Sequence, residues 1–175
     1  MKLKGSHIYL RALEPEDLDF LYMIENNPDI WHLSHTQTPF SKFVLKQYLE
    51  ASLGGDIHAL KDLRLVICRN EDNQPLGFID LFDFDPKNKR AGVAIVIENK
   101  DNRGQGFGSE ALSLLIDYAF SILDLHQLYA NILSDNPESR SLFEKYNFKP
   151  VGVKRDWHFE NGKFKDEVLY QRIKE

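Results

Sequence analysis

Arg103-Gly104-Gln105-Gly106-Phe107-Gly108-Ser109 is the stretch of this sequence whose residue types and spacing speak most directly of chemistry. Three glycines in five residues let a backbone fold close around a ligand, with successive N–H groups turned inward. The segment leaves an apolar, β-branched run ending at Ile97 and enters a run of helical period. The helix it opens therefore presents unpaired N–H groups and the positive end of its dipole. Arg103 adds a cation able to fork onto two phosphate oxygens. Together these features describe a site for an anion the size of a pyrophosphate. Two common versions fail on letters: a dinucleotide fingerprint would need glycine where Ser109 stands, and a P-loop would need a Gly-Lys-Ser/Thr tripeptide, which does not occur. A tight strand-to-helix turn that binds nothing is the plain alternative.

The elements that would position this loop can be read from periodicity. His7–Arg11 alternates and predicts a first strand. Glu14-Pro15-Glu16-Asp17 opens a helix carried on by Leu18, Leu21, Tyr22 and Ile24, and Asn26-Asn27-Pro28 stops it. A second helix runs through Phe43, Val44, Gln47, Tyr48 and Leu53 to Gly54-Gly55. Leu63–Cys68, Gly77–Phe82 and Arg90–Ile97 are β-rich runs separated by turn clusters, which predicts a three-stranded antiparallel meander. After the glycines, Leu112, Leu115, Ile116, Ala119 and Phe120 mark an amphipathic helix. Leu128–Leu133 reads as a strand, and Asn136-Pro137 supplies an N-cap and N1 proline for a helix through Leu142, Phe143 and Tyr146. Two last strands, 151–159 and 164–173, flank the hairpin signal Asn161-Gly162. The order β-α-α-β-β-β-α-β-α-β-β predicts a mixed α/β fold.

A length of 175 residues predicts a single domain over 1–175, large enough to bury about 70% of its unfolded surface. Net charge is −5, from 22 basic and 27 acidic residues, which argues against a nucleic-acid partner and leaves room for a cationic substrate. Cys68, the single cysteine, cannot form an internal disulfide. The longest mainly apolar stretch, Ala91–Ile97, is far short of the roughly 18 residues that would cross a bilayer. The first residues show no apolar signal region, so a cytoplasmic protein without membrane association is expected.

Arg103-Gly104-Gln105-Gly106-Phe107-Gly108 resembles the Arg/Gln-x-x-Gly-x-Gly/Ala signature of the GNAT superfamily of N-acetyltransferases. The likeness extends along nearly the whole chain. Tyr9–Asp17 is similar to the opening of the branch whose enzymes acetylate ribosomal-protein N-termini and spermidine. Asn136-x-x-Ser139 with Phe143–Phe148 is similar to its following helix, and Phe159–Asp166 to its final hairpin. The resemblance implies the single-domain GNAT fold, a mostly antiparallel twisted sheet flanked by helices and splayed between its fourth and fifth strands, here Arg90–Ile97 and Leu128–Leu133. It implies acetyl-CoA as co-substrate and no metal. Ile95, Val96 and Ile97 would pair with the pantetheine arm. Arg103, Gly104, Gln105, Gly106, Phe107, Gly108 and Ser109 would hold the pyrophosphate. Asn136, Ser139 and Phe143 would lie along the pantetheine.

The implied reaction is direct attack of a primary amine on the thioester in a ternary complex, which needs chiefly positioning. It also needs a proton acceptor for the amine and, usefully, a donor for the departing thiolate. Relatives with a tyrosine acid carry it where Phe143 stands, and phenylalanine cannot donate. Ser139 matches the serine of the ribosomal-protein enzymes and is the expected donor, with Tyr146 in reserve or simply a core aromatic. Asp80, opposite in facing to Ile79 and Leu81, and His158, three residues before the hairpin turn, are the two base candidates; each reads equally well as a solvated strand residue. His32 and His35 have no further ligands nearby in sequence, so no metal site is expected. Trp31, Asp80, Trp157 and Phe159 would line the acceptor site between the 31–39 loop and the final hairpin.

The acceptor would be a small-molecule or peptide amine: a protein N-terminus, an amino sugar or a small amine. Polyamine is the alternative, because Ser34–Pro39 has no acid where the polyamine enzyme carries an acidic pair. A non-catalytic acyl-CoA-binding module is the alternative that Phe143 raises. The final hairpin is where several relatives form a homodimer.

Overall fold

The computed structural model describes residues 3–34 and 36–175, and for His32 and Leu33 the backbone alone. Eight strands form one sheet: β1 (Leu3–Lys4), β2 (Ile8–Ala12), β3 (Leu63–Arg69), β4 (Pro75–Asp85), β5 (Arg90–Ile97), β6 (Gln127–Leu133), β7 (Lys149–Glu160) and β8 (Lys163–Ile173), in spatial order β1-β2-β3-β4-β5-β6-β8-β7. Every neighbouring pair is antiparallel except β5 with β6. The helices are α1 (Leu18–Glu25), α2 (Trp31–Ser34), α3 (Lys42–Gly54), α4 (Ile57–Leu60), α5 (Phe107–Ser121) and α6 (Pro137–Lys145). Among the described residues no helix is long and apolar enough to cross a membrane.

Alternation along the strands sorts side chains onto two faces. Leu65, Ile67, Ile79, Leu81, Ala91, Val93, Leu128, Ala130, Ile132, Val168 and Tyr170 face one way and bury the apolar stripe of α5. Val66, Cys68 and Phe78 face the other way and receive Leu21 and Ile24 of α1 with Leu45 and Leu49 of α3. The half-buried Arg11 and the buried Asp17 pin β2 to the turn that enters α1: Arg11 Nη1 and Nη2 donate to the Asp17 carboxylate at 2.7 and 2.8 Å, and Glu14 N–H donates to it as well.

The predicted order stands, with additions. The two-residue β1, the short helices α2 and α4, and the single turns at Pro15–Asp17, Pro28–Ile30 and Lys100–Asn102 have too few residues to register a period. The strand expected at Gly77–Phe82 runs from Pro75 to Asp85, because a register irregularity after Phe82, where Asp83 adopts φ +50°, lets the strand resume beyond it. The Asn161-Gly162 hairpin forms with both residues at positive φ, 52° and 76°, as a primed two-residue turn requires.

The feature that shapes the site is a pairing that stops. β5 and β6 match only at Arg90 with Gln127, Ala91 with Leu128 and Gly92 with Tyr129. Beyond those three rungs the strands part, while β5 stays zipped to β4 as far as Ile97 and β6 to β8 as far as Leu133. The result is a V-shaped gap in the middle of the sheet, open at the carboxyl ends of two parallel strands.

Candidate active site

Two helices begin at the open end of this gap. β5 leads through the glycine loop into α5, and β6 leads through Asn136 into α6, so both helix N-termini border the space between the diverging strands. Contacts fix this convergence: a methyl group added at Gly108 would lie 3.6 Å from Ile95 Cδ1, 3.9 Å from Ile97 Cγ1 and 3.9 Å from Leu142 Cδ2. The first turn of α5, the unpaired half of β5 and α6 therefore meet at one place.

Glu98 N–H donates to Leu76 O. Strand alternation then turns the backbone groups of Ile97 and Ile95 away from β4 and into the gap, and those of Val96 toward β4. Of the three residues expected to pair with a pantetheine arm, Ile95 thus offers its backbone and Ile97 its N–H, whereas Val96 offers its side chain to the opposite face, against α1 and α3.

The loop is built as an open cradle. Gly104 and Gly106 adopt φ +74° and +89°, which disfavour any side chain, yet among the described residues no atom beyond the chain neighbours lies within 4 Å of where a Cβ would stand on either. These glycines serve backbone conformation and leave one side of the loop clear. Gly106 is the N-cap of α5, and among the described residues no side chain caps the helix. Glu110, the acid of its first turn, is engaged elsewhere: its carboxylate receives the N–H groups of Ser6 and His7. The first-turn N–H groups of α5 are thus left for an anion, and the residues present fit a coenzyme pyrophosphate.

The side chains of the motif divide differently from the sequence expectation. Arg103 Nε and Nη2 both donate to Ile97 O, at 3.1 and 3.0 Å, so the guanidinium caps the end of β5. Gln105 Nε2 donates to Asp101 O within the loop, and Phe107 is buried in the core, anchoring the start of α5. Ser109 Oγ meets Tyr146 OH at 2.8 Å and receives Lys145 Nζ at 2.8 Å, so Tyr146 directs its hydroxyl to the cofactor loop.

On α6, Asn136 Oδ1 accepts the Ser139 N–H at 3.0 Å, the expected N-cap. Ser139 is half-buried in the first turn, and its hydroxyl makes no hydrogen bond among the described residues. Phe143 is in the core, edge-to-face with Phe148 at 5.0 Å.

Asp80 faces the α1–α3 side of the sheet, as alternation predicts, but it is not simply solvated. Both its oxygens accept from Arg64, at 2.9 and 2.8 Å, and Arg64 Nη1 also donates to Glu25 Oε1 at 2.5 Å. The rings of Tyr48 and Phe78 flank the guanidinium. Two carboxylates share one cation here, beside the exposed Ala94 of β5.

His158 Nε2 lies 2.5 Å from Glu167 Oε2, and Lys154 pairs with the same carboxylate. Glu167 is 4% exposed and opposite Leu133, at the open end of β6. Burial alone would raise the Glu167 carboxyl, but the hydrogen bonds from Lys154 and His158 outweigh it and hold the group below the usual glutamate range.

Of the aromatic candidates, Trp31 Nε1 is tied to Glu25 O at 2.8 Å, whereas Trp157 and Phe159 are 58% and 68% exposed on β7, Trp157 under Lys154 and Phe159 against Phe164. His35 and the side chain of His32 lie outside the described residues. Among the described residues no cluster of His, Cys, Asp and Glu is arranged to hold a metal ion. Arg64, Glu25, Glu167 and Lys145 escaped the sequence reading. Arg64, between Leu63 and Leu65, and Glu167, beside Val168, leave a trace as charges within apolar strands that does not say which partner each meets, and Glu25 and Lys145, at the ends of their helices, leave none.

The family described as acetyltransferase (GNAT) domain matches residues 7–149. The chain is 30% identical over 162 residues to spermidine N(1)-acetyltransferase of Vibrio cholerae, covering 93% of this chain and 90% of that protein. It is 26% identical over 162 residues to the Escherichia coli K12 spermidine N(1)-acetyltransferase, covering 92% and 83%. The crystal structure of the Vibrio cholerae spermidine N-acetyltransferase in complex with CoA and spermine superposes with a TM-score of 0.86 at 26% identity, over 97% of this chain and 96% of that one.

Proposed function

This chain belongs to the acetyltransferase (GNAT) domain family and is an acetyl-CoA-dependent N-acetyltransferase, and we propose the following division of labour in its site. The observation that carries it is the pairing of β5 and β6 that stops at Gly92 and Tyr129, with the glycine loop and the α6 N-cap at the open end. Gly104, Gly106, Gly108 and the first-turn N–H groups of α5 receive the coenzyme's pyrophosphate, and the inward backbone of Ile95 and the N–H of Ile97 pair with its arm. Arg103 acts one step back, by fixing the end of β5.

The amine reaches the thioester from the α1–α3 face, across the small, exposed Ala94. Its nitrogen forms a bond to the carbonyl carbon, the carbon–sulfur bond breaks, one proton leaves the nitrogen and one is delivered to the thiolate. Ser139 is the donor to sulfur, since its hydroxyl sits at the open end with no internal partner among the described residues. His158, oriented by Glu167, is the acceptor of the amine proton, an imidazole being suited to that task near neutral pH. Asp80 has both oxygens engaged by Arg64 and serves the acceptor's charge instead.

The acceptor is a primary amine, and the polyamine reading has a specific observation behind it. Glu25 and Asp80 share one guanidinium, which leaves one net negative charge on the acceptor face, and the relatives above act on spermidine. A panel of spermidine, a peptide with a free N-terminus and an amino sugar, followed by release of CoA thiol, tests it. Turnover of spermidine well above the others is expected, and preference for the peptide would overturn the polyamine reading. Absence of CoA binding by calorimetry would overturn the whole site.

The apolar residues Val151, Val153, Trp157, Phe159 and Phe164 are exposed on β7 and its hairpin, at the edge of the sheet. A second copy of the chain covers them in this reading, as an exposed apolar edge strand invites. Phe159→Lys should lower the sedimenting mass, and an unchanged mass would refute the assignment.

A further inference from the structure

Lys145 lies outside the signature loop, yet its ammonium is at the N-terminus of α5. It donates to Ser109 Oγ at 2.8 Å, and Tyr146 OH meets the same oxygen at 2.8 Å. A lysine in that position is electrostatically misplaced, because the positive end of a helix dipole disfavours a cation within its first turn. No carboxylate among the described residues compensates it: Glu110 is engaged with Ser6 and His7, and Glu144, the neighbour of Lys145, accepts from Tyr170.

The hydrogen-bond inventory leans the same way. An ammonium offers three donors and no acceptor, and the two hydroxyls offer one donor each. Two bonds join the three groups, so donors remain whichever way the Ser109–Tyr146 bond runs. The uncapped N–H groups of α5 add to the surplus. Meanwhile Arg103, the cation that sequence alone assigns to the phosphates, spends Nε and Nη2 on Ile97 O.

We infer that Lys145, presented by α6 and steadied by Ser109 and Tyr146, is the cation that binds the coenzyme's pyrophosphate. The inference rests on the coenzyme reading of the glycine loop and adds a binding residue from a different element. It also gives Tyr146 a task at the cofactor, in place of general acid. Phosphate oxygens would take up the donors left over in the Ser109–Tyr146–Lys145 group, and the ammonium would offset the charge that the backbone N–H groups alone must otherwise bear.

The test is calorimetric titration of CoA and of 3′-dephospho-CoA into the wild-type chain, Lys145→Ala and Lys145→Arg. Lys145 is exposed and the α5 dipole disfavours its charge, so Lys145→Ala should melt no lower than wild type and Lys145→Arg close to it. Lys145→Ala should weaken both ligands by about tenfold at low salt, as expected for one lost charge-assisted contact, and the gap should narrow as salt rises. Lys145→Arg should recover most of the affinity. Equal CoA affinity in Lys145→Ala would overturn the inference while leaving the loop assignment intact. A loss seen with CoA and absent with 3′-dephospho-CoA would overturn it too, by moving the contact to the 3′-phosphate. Failure of the wild-type chain to bind CoA would sink the loop assignment and this inference together.

Discussion

Gly106→Ala separates what the loop needs for folding from what it needs for binding. Gly106 sits at φ +89°, and nothing lies within 4 Å of a Cβ placed on it, so the methyl group meets no atom and the whole folding cost is backbone strain. Holding alanine in the left-handed region costs about 1–2 kcal/mol, partly offset by the smaller entropy alanine loses on folding. A net loss near 1 kcal/mol corresponds to a fall in Tm of about 2–4 °C for a chain of this size. The effect on coenzyme binding should be larger, because the clear side of the loop is the side a phosphate must approach, and even one methyl group there keeps the anion from the backbone N–H groups. Gly108→Ala is the control for backbone strain. Its backbone is ordinary and its methyl would rest at 3.6–3.9 Å from Ile95, Ile97 and Leu142, ordinary contact. The assay pairs thermal melts with calorimetric CoA titration for both variants. A Gly106→Ala protein as stable as wild type would refute the strain argument. One that melts lower yet binds CoA with unchanged affinity would refute the placement of the pyrophosphate.

Three further outcomes are expected. Ser139→Ala should lower kcat by about 10²-fold, within the range for general acid–base groups, and leave the Kd for CoA unchanged; an equal rise in Kd would make Ser139 a binding residue only. Glu167 has its carboxyl held below the ordinary value of 4.5, so it contributes stability above that pH, and this is lost as pH falls through the folded-state value. Glu167→Gln should therefore melt lower than wild type at pH 7 and the difference should shrink as pH falls below 4.5; a gap independent of pH would refute the linkage. Arg64→Met leaves Glu25 and Asp80 without their shared cation and should cost about 2–3 kcal/mol, less than a fully buried pair because about a fifth of each side chain is exposed. Adding Asp80→Asn should recover part of the loss in chemical denaturation, and strict additivity of the two changes would show that they do not interact.

The sequence carried much of this protein because its strongest signals are local. The α5 stripe of Leu112, Leu115, Ile116 and Ala119, the Asn136-Pro137 cap and the Asn161-Gly162 turn each follow from conformational preferences that a few neighbouring residues settle among themselves, and each forms as read. The glycine loop was legible for the same reason: Gly104 and Gly106 are glycines because of their own φ angles. Tertiary structure decided matters that depend on residues far apart along the chain. Where β5 and β6 stop pairing is one, since Gly92 and Tyr129 are separated by the whole of α5 and no property of either announces the last rung. The partners of the charged residues are others: Arg103 turning to a strand carbonyl, Asp80 meeting an arginine 16 positions earlier, and Lys145 reaching a serine 36 positions before it. A charged side chain advertises its sign in the sequence, but its role is set by the groups the fold brings within 3 Å of it, because the short-range bonds that redirect a charge act across space and take no account of separation along the chain.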